Sequence, residues 1–204
     1  KRQDLHLMLE RMAHRGRDGS GIFFQDGIGL GNNRLAVIGR RGGKQPMQSQ
    51  DGRLILTFNG EIYNYKEIKK KLKRKGYVFK TATDTEVVLY AYAEYGVKCL
   101  SMLNCMFAFA IWDSAKKQLF IARDRVGIKP LLYTLLQNSL IFSSELKGLM
   151  AISKIKHDIN YQSIYYYLKL KYVPEPQTMI REIYHLPPGY YLIYRPNGKM
   201  ILTL

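Results

Sequence analysis

Acidic residues are scarce in this chain. Of its 204 residues, 16 are Asp or Glu against 32 Lys or Arg, a formal net charge of +16. That balance raises nucleic acid as a partner to be tested. Cysteine is scarcer still. Cys99 and Cys105 cannot build a disulfide framework, and a reducing cytoplasm suits the chain. The four histidines, His6, His14, His157 and His185, lie far apart without ligand spacing, so no metal site is expected. Long apolar runs are missing: stretches such as Met106 to Trp112 are far too short to span a membrane. The polar start, Lys1-Arg2-Gln3-Asp4, lacks the apolar segment of a signal peptide. Also absent are the G-x-x-x-x-G-K-S/T phosphate loop, the G-x-S-x-G nucleophile elbow and a strand running into G-x-G-x-x-G. What remains is ordinary globular composition, 47% hydrophobic and 24% charged, sufficient for a buried core in one domain.

The positive charge is concentrated between Lys66 and Lys75. Ile62, Tyr65, Ile68 and Leu72 recur there at spacings of three and four, which predicts a helix with one buried face and a solvated Lys face. Gly76 stops it. A nucleic-acid module would interleave aromatics or present a reader helix; this run has one Tyr, on the apolar side. Further helices are expected at Leu5–Ala13, from Asp84 to Tyr95 with Thr83 and Glu86 at capping-box spacing, at Glu145–Met150 and at Tyr161–Leu170.

Strands are expected at Gly21–Gln25, Ile28–Gly39, Arg53–Phe58, Met106–Trp112, Gln118–Arg123, Leu131–Leu136 and Ser139–Ser143, with a last pair turning at Pro196-Asn197-Gly198. Met106–Trp112 and Leu35–Ile38 are apolar on both faces, so both faces must be covered. With hairpin connections, that predicts two mostly antiparallel sheets packed together with helices outside, an α+β sandwich.

One constellation can carry chemistry. Asn59-Gly60-Glu61 follows an apolar strand. An Asn amide beside a Gly N–H offers two donors to one oxygen, as in an oxyanion hole, although N-G is also a common hairpin turn. Arg34 can clamp a carboxylate, and Glu61 and Asp84 can meet an ammonium. Together they complement an α-amino acid. Each also has a plainer role: Arg34 as a surface strand residue, Asp84 in a helix cap, Glu61 as a charge at a helix start. Cys99 and Cys105 read as buried small hydrophobes.

These residues sit in a familiar series. His14-Arg15-Gly16-Arg17-Asp18-Gly19, Asn33-Arg34-Leu35-Ala36-Val37-Ile38, Phe58-Asn59-Gly60-Glu61-Ile62-Tyr63-Asn64, Thr83-Asp84-Thr85-Glu86, Ala122-Arg123-Asp124-Arg125-Val126-Gly127-Ile128-Lys129-Pro130 and Leu186-Pro187-Pro188-Gly189 stand in order over nearly the whole chain. The sequence resembles the class II, N-terminal nucleophile, glutamine amidotransferase domain of glutamine-hydrolysing asparagine synthetases. The resemblance implies a four-layer αββα sandwich and hydrolysis of L-glutamine to glutamate and ammonia. It implies that Asn59 and Gly60 form the oxyanion hole and that Arg34 holds the glutamine α-carboxylate. Glu61 and Asp84 would hold the α-amino group, with backbone contacts from Leu35 and Val37. No cofactor is implied in this domain; ATP and Mg would belong to a C-terminal synthetase domain. The implied partners are L-glutamine, that synthetase domain and, as one option, a second copy in a homodimer, with neither nucleic acid nor membrane.

Two departures stand out. The family nucleophile is an N-terminal Cys on a strand before the first helix, and neither that strand nor that Cys is among residues 1–204. The S-G-G-x-D-S pyrophosphate loop of the synthetase domain is likewise not in the sequence. The expectation is therefore one amidotransferase domain over residues 1–204, belonging to a longer protein. Smaller changes, Arg17 for Pro, Cys105 for Gly and Arg40-Arg41 in a loop, remove no expected ligand contact.

Overall fold

A computed structural model describes residues 1–25, 27–35 and 43–204. The chain begins with helix α1 (Arg2–Arg11), followed by the hairpin β1 (Gly19–Gln25) and β2 (Ile28–Arg34). Strand β3 (Met47–Gln48), strand β4 (Leu54–Ile62) and helices α2 (Tyr65–Arg74) and α3 (Asp84–Tyr95) come next. Strands β5 (Cys105–Asp113), β6 (Gln118–Arg123), β7 (Leu132–Leu136) and β8 (Ser139–Ser143) lead to helices α4 (Leu146–Met150) and α5 (Tyr161–Leu170). Strands β9 (Tyr184–His185), β10 (Tyr191–Tyr194) and β11 (Met200–Thr203) finish it.

A six-stranded antiparallel sheet, in the order β11-β10-β6-β5-β4-β3, forms the centre. Its strands alternate between two different cores. From β4 and β5, Leu54, Leu56, Phe58, Phe107, Phe109 and Ile111 pack against α2 and α3. Ile55, Ala108 and Ala110 point the other way, into a second core with Leu30, Leu131 and Leu186. This period of two makes both strand faces apolar, because each face has its own cover. The second core is closed by a further β layer, made of the β1-β2 hairpin and the three-stranded sheet β8-β7-β9. On its outer side a third core joins Met8 of α1 and Leu149 of α4 to Leu132 and Ile183. The layers therefore run helix, sheet, sheet, helix, the expected αββα order.

Several expectations change in detail. Ile62 is fully buried but belongs to β4, so α2 starts later, at Tyr65, and buries Ile68 and Leu72. Leu35 is 65% exposed rather than part of a doubly covered strand. Residues 36–42, with Val37 and Arg40-Arg41, lie outside the described residues. Half of the capping box forms: Thr83 accepts from Glu86 N–H. Glu86 does not reciprocate; its carboxylate takes the N–H groups of Lys80 and Thr81 and the Thr81 hydroxyl, holding the loop before α3.

Candidate functional site

A cleft of about 550 Å3 opens between the two β layers. Its floor is the small-residue side of the central sheet, at Thr57, Asn59, Ala108 and Ala110, and its roof is α1, at Leu5 and Met8. Its flanks are β2 and β8, which belong to separate pieces of the second layer. The size is that of a small-molecule site. Arg34, Leu35, Asn59, Gly60, Glu61 and Asp84 all line this cleft, so every expected site residue that is described comes together.

Asn59-Gly60 is not a turn. Both residues lie inside β4, Asn59 opposite Ala108 and Gly60 opposite Phe107. Alternation puts the Asn59 side chain on the cleft side. Its Nδ2 is buried and has no hydrogen-bond partner among the described residues. A buried amide N–H left unpaired is unfavourable, and such groups collect where function requires them.

Gly60 supplies the second donor through sheet geometry. Phe107 directs its own N–H and C=O toward Asp124: the N–H donates to Asp124 Oδ2 at 3.2 Å and the carbonyl accepts from Asp124 N–H at 2.8 Å. Phe107 thus has no backbone group left for Gly60, and the pair is of the non-hydrogen-bonded kind. The Gly60 N–H points away from β5. Its neighbours on the same edge are occupied: Phe58 N–H donates to Gln45 Oε1 at 2.7 Å, and Ile62 N–H donates to Asp84 Oδ2 at 3.1 Å. Gly60 N–H is the open donor between two filled ones. The close pairing also forbids a side chain here, since a Cβ would lie 2.3 Å from the Met106 carbonyl oxygen and 2.8 Å from Phe107 Cα.

The charged groups gather beside that edge. Asp84 opens α3 and is 4% exposed. Burial pushes its carboxyl above the ordinary carboxylate range, against the opposing N–H groups of Ile62 and Thr85, and nearby Glu61 adds to the rise. The Arg34 guanidinium packs against Gly43, where a Cβ would be 2.6 Å from its Nη2 and 2.9 Å from Thr83 Cγ2. Arg34 therefore reaches the N-terminus of α3, next to Asp84. A cation, two carboxylates and two N–H donors line one cleft, matching an α-amino acid with a carbonyl in its side chain.

Sequence reasoning gave no role to the residues that hold this arrangement. Gln45 caps Phe58. The Asp124 carboxylate, 1% exposed, accepts the N–H groups of Phe107, Val126, Ile128 and Lys129. Burial alone would raise its pKa, but those four donors outweigh it and hold it below the usual range. Buried Arg123 reaches the carbonyls of Gly127, Lys129 and Leu186 and pairs with Glu175. Their signal is Arg-Asp at the end of a buried strand, which becomes legible only once the loop after it is seen to fold back. Beside the cleft, which Arg15 lines, Arg15, His14 and Lys147 surround Glu145. Burial, which would raise its pKa, is overcome by their hydrogen bonds, and the carboxyl is held at about 2. Cys99 and Cys105 are inert by contrast: burial pushes both thiols up to about 12. No cluster of metal-ligating side chains occurs among the described residues.

Residues 1–202 match the family described as glutamine amidotransferase domain. The chain is 39% identical over 193 residues to asparagine synthetase (glutamine-hydrolyzing) 1 of Bacillus subtilis, covering 95% of this chain and 30% of that protein. It is 34% identical over 204 residues to asparagine synthetase (glutamine-hydrolyzing) 3 of the same organism, covering 98% and 33%. The chain thus spans about a third of the length of these curated relatives. Among solved structures, an allosteric regulatory enzyme of purine biosynthesis superposes with a TM-score of 0.70 at 23% identity, covering 98% of this chain and 46% of that one. The glutamine phosphoribosylpyrophosphate amidotransferase of B. subtilis gives 0.68 at 22%, again over 98% and 46%. At such identities these two likenesses concern the fold.

Proposed function

The chain belongs to the glutamine amidotransferase domain family, and from that membership we propose that it is the glutaminase part of an asparagine-synthetase-like enzyme. The observation that carries this reading is the unpartnered Asn59 Nδ2 in the cleft, next in the strand to the Gly60 N–H that the sheet pairing turns away from β5. L-glutamine binds with its α-carboxylate on Arg34 and its α-ammonium between Glu61 and Asp84. The side-chain carboxamide then reaches the donor pair. A Cys thiolate attacks the carboxamide carbon, and the oxyanion that forms is held by Asn59 and Gly60. The proton that the α-amine of that Cys took from the thiol passes to the leaving nitrogen, and collapse expels ammonia and leaves a thioester, which water hydrolyses to glutamate.

The nucleophile is proposed to enter on an extended segment between β2 and β8. That segment would make the second β layer continuous and carry a thiol over Asn59. The acceptor of the ammonia is proposed to be a carboxylate, aspartate by likeness to the relatives, activated with ATP and Mg in a further domain. Sequencing the gene upstream of Lys1 and assaying its full product for glutaminase test both parts. A Cys directly after the initiator Met, with release of glutamate from L-glutamine, is expected. Another residue at that position, or no glutamate, removes the enzymatic reading and leaves a binding domain.

A further inference from the structure

Strand β3 stops short of the cleft it borders. It pairs with β4 at Met47, opposite Leu56, and at Gln48, opposite Ile55. Continued in the same register, Gln45 would lie opposite Phe58 and Gly43 opposite Gly60. The Ser49 N–H donates to the Leu54 carbonyl at 2.9 Å, which marks Leu54 as a residue whose backbone groups face β3. Every second residue after it, Leu56, Phe58, Gly60 and Ile62, faces the same side. A longer β3 would therefore set a backbone carbonyl on the Gly60 N–H and close the edge.

The chain takes another course. At Gln45 the backbone lies against β1, where a Cβ on Gly21 would collide with the Gln45 carbonyl oxygen. Gly43 packs against the Arg34 guanidinium instead of Gly60. Only the Gln45 side chain reaches back to β4, and its Oε1 accepts the Phe58 N–H at 2.7 Å. One side-chain amide thus replaces one residue of strand. On the other side of Gly60, the Asp84 carboxylate takes the Ile62 N–H at 3.1 Å. A strand presents a carbonyl to this edge at every second residue, whereas a glutamine presents one and stops. The edge is held on both sides of Gly60 and left open at Gly60 itself.

We propose that Gln45 is a positioning residue for the oxyanion donors. By standing in for one residue of β3, it fixes Phe58 in the sheet, and with it the Asn59-Gly60 that follows. It also ends the sheet one N–H before the ligand. The proposal rests on the reading of Asn59 and Gly60 as oxyanion donors. Gln45 acts through them and touches no reacting atom. Its effect belongs to the chemical step, because Arg34 and Asp84, proposed to hold the α-end of glutamine, stand on β2 and α3.

Two variants of the full gene product test it. Gln45→Met keeps the length of the side chain and removes the acceptor. Ser49→Ala is the control: Ser49 Oγ accepts the Leu54 N–H at 2.9 Å on the same edge of β4, six residues before Gly60. The readouts are the backbone amide resonance of Gly60 and steady-state glutaminase kinetics. Gln45→Met is expected to shift the Gly60 resonance and to lower kcat about 10- to 100-fold, with KM for L-glutamine changed by less than about threefold. Ser49→Ala is expected to leave the resonance and kcat in place. Gln45→Ala, which makes no steric demand, should reproduce the shift and the loss of kcat. A role in stability alone would lower the melting temperature in both Gln45→Met and Ser49→Ala and leave kcat per folded molecule unchanged. An unmoved Gly60 resonance in the Gln45 variants overturns the proposal whether or not the protein is active. An unchanged kcat, a loss confined to KM, or an equal kcat loss in Ser49→Ala overturns it as well. A shifted Gly60 resonance in a protein that releases no glutamate supports the positioning of Gly60 and sinks the proposed function alone.

Discussion

Asn59 holds a buried donor that no described residue satisfies. Such a group lowers stability by about 1–3 kcal/mol, and removing it relieves that cost. Asn59→Ala is therefore expected to leave the melting temperature unchanged or higher while lowering glutaminase kcat about 100- to 1,000-fold in the full protein. Calorimetry and a glutamate-release assay check both halves. Asp84 behaves in the opposite sense from an ordinary surface acid. Its pKa is raised by burial, so protonation sets in at higher pH, and the negative charge proposed to meet the α-ammonium is lost early on acidification. Affinity for L-glutamine, followed by calorimetric titration, should weaken from above the usual Asp range, and Asp84→Asn should flatten that dependence. For Glu145 the folded pKa is depressed from 4.5 to about 2. Its stabilising contribution is full above 4.5 and disappears as pH falls toward 2. Denaturation curves for Glu145→Gln should lose that part of the acid slope. At this scale the sequence was legible for residues that line the cleft, because Arg, Asn-Gly and acids have a chemistry of their own. It was silent on Gln45 and Asp124, whose work is to occupy N–H groups of remote segments.

Elements were legible wherever one periodicity dominated. Helix α2 shows this: Ile68 and Leu72 are buried and the lysines face out. Leu72→Ala is expected to cost about 2–5 kcal/mol of unfolding free energy, and Lys70→Glu to stay within about 0.5 kcal/mol, in urea titrations. What the pattern hid was the extent of β4. Asn-Gly has the chemistry of a hairpin turn, and an expected strand end at Phe58 follows from it. Pairing with β5 overrides that preference across nine residues, Leu54 to Ile62. The reciprocal half of the capping box is missing for a related reason. Glu86 is buried, and three donors of the preceding loop compete for it more effectively than the cap position does.

The whole molecule keeps the layered order that doubly apolar strands require, and its densest run of positive charge, Lys66 to Lys75, lies on α2 and its end, outside the residues that line the cleft. Self-repulsion of +16 should make the isolated chain gain stability when salt rises from about 10 to 150 mM. A melting temperature insensitive to salt would refute that. The division of the second β layer into a hairpin and a three-stranded sheet had no counterpart in the strand pattern, because periodicity reports faces and not neighbours. The alternation along β4 has a last consequence, for folding fidelity. A slip of one residue against β5 would turn Asn59 into the helix-side core, among Leu89, Phe107 and Phe109. An amide stranded in that oil-like interior costs several kcal/mol, about 2–7 by transfer measurements. The side chain proposed to meet a reacting carbonyl thus also proofreads the sheet: the misaligned chain is rejected by the same buried amide that faces the cleft in the aligned one.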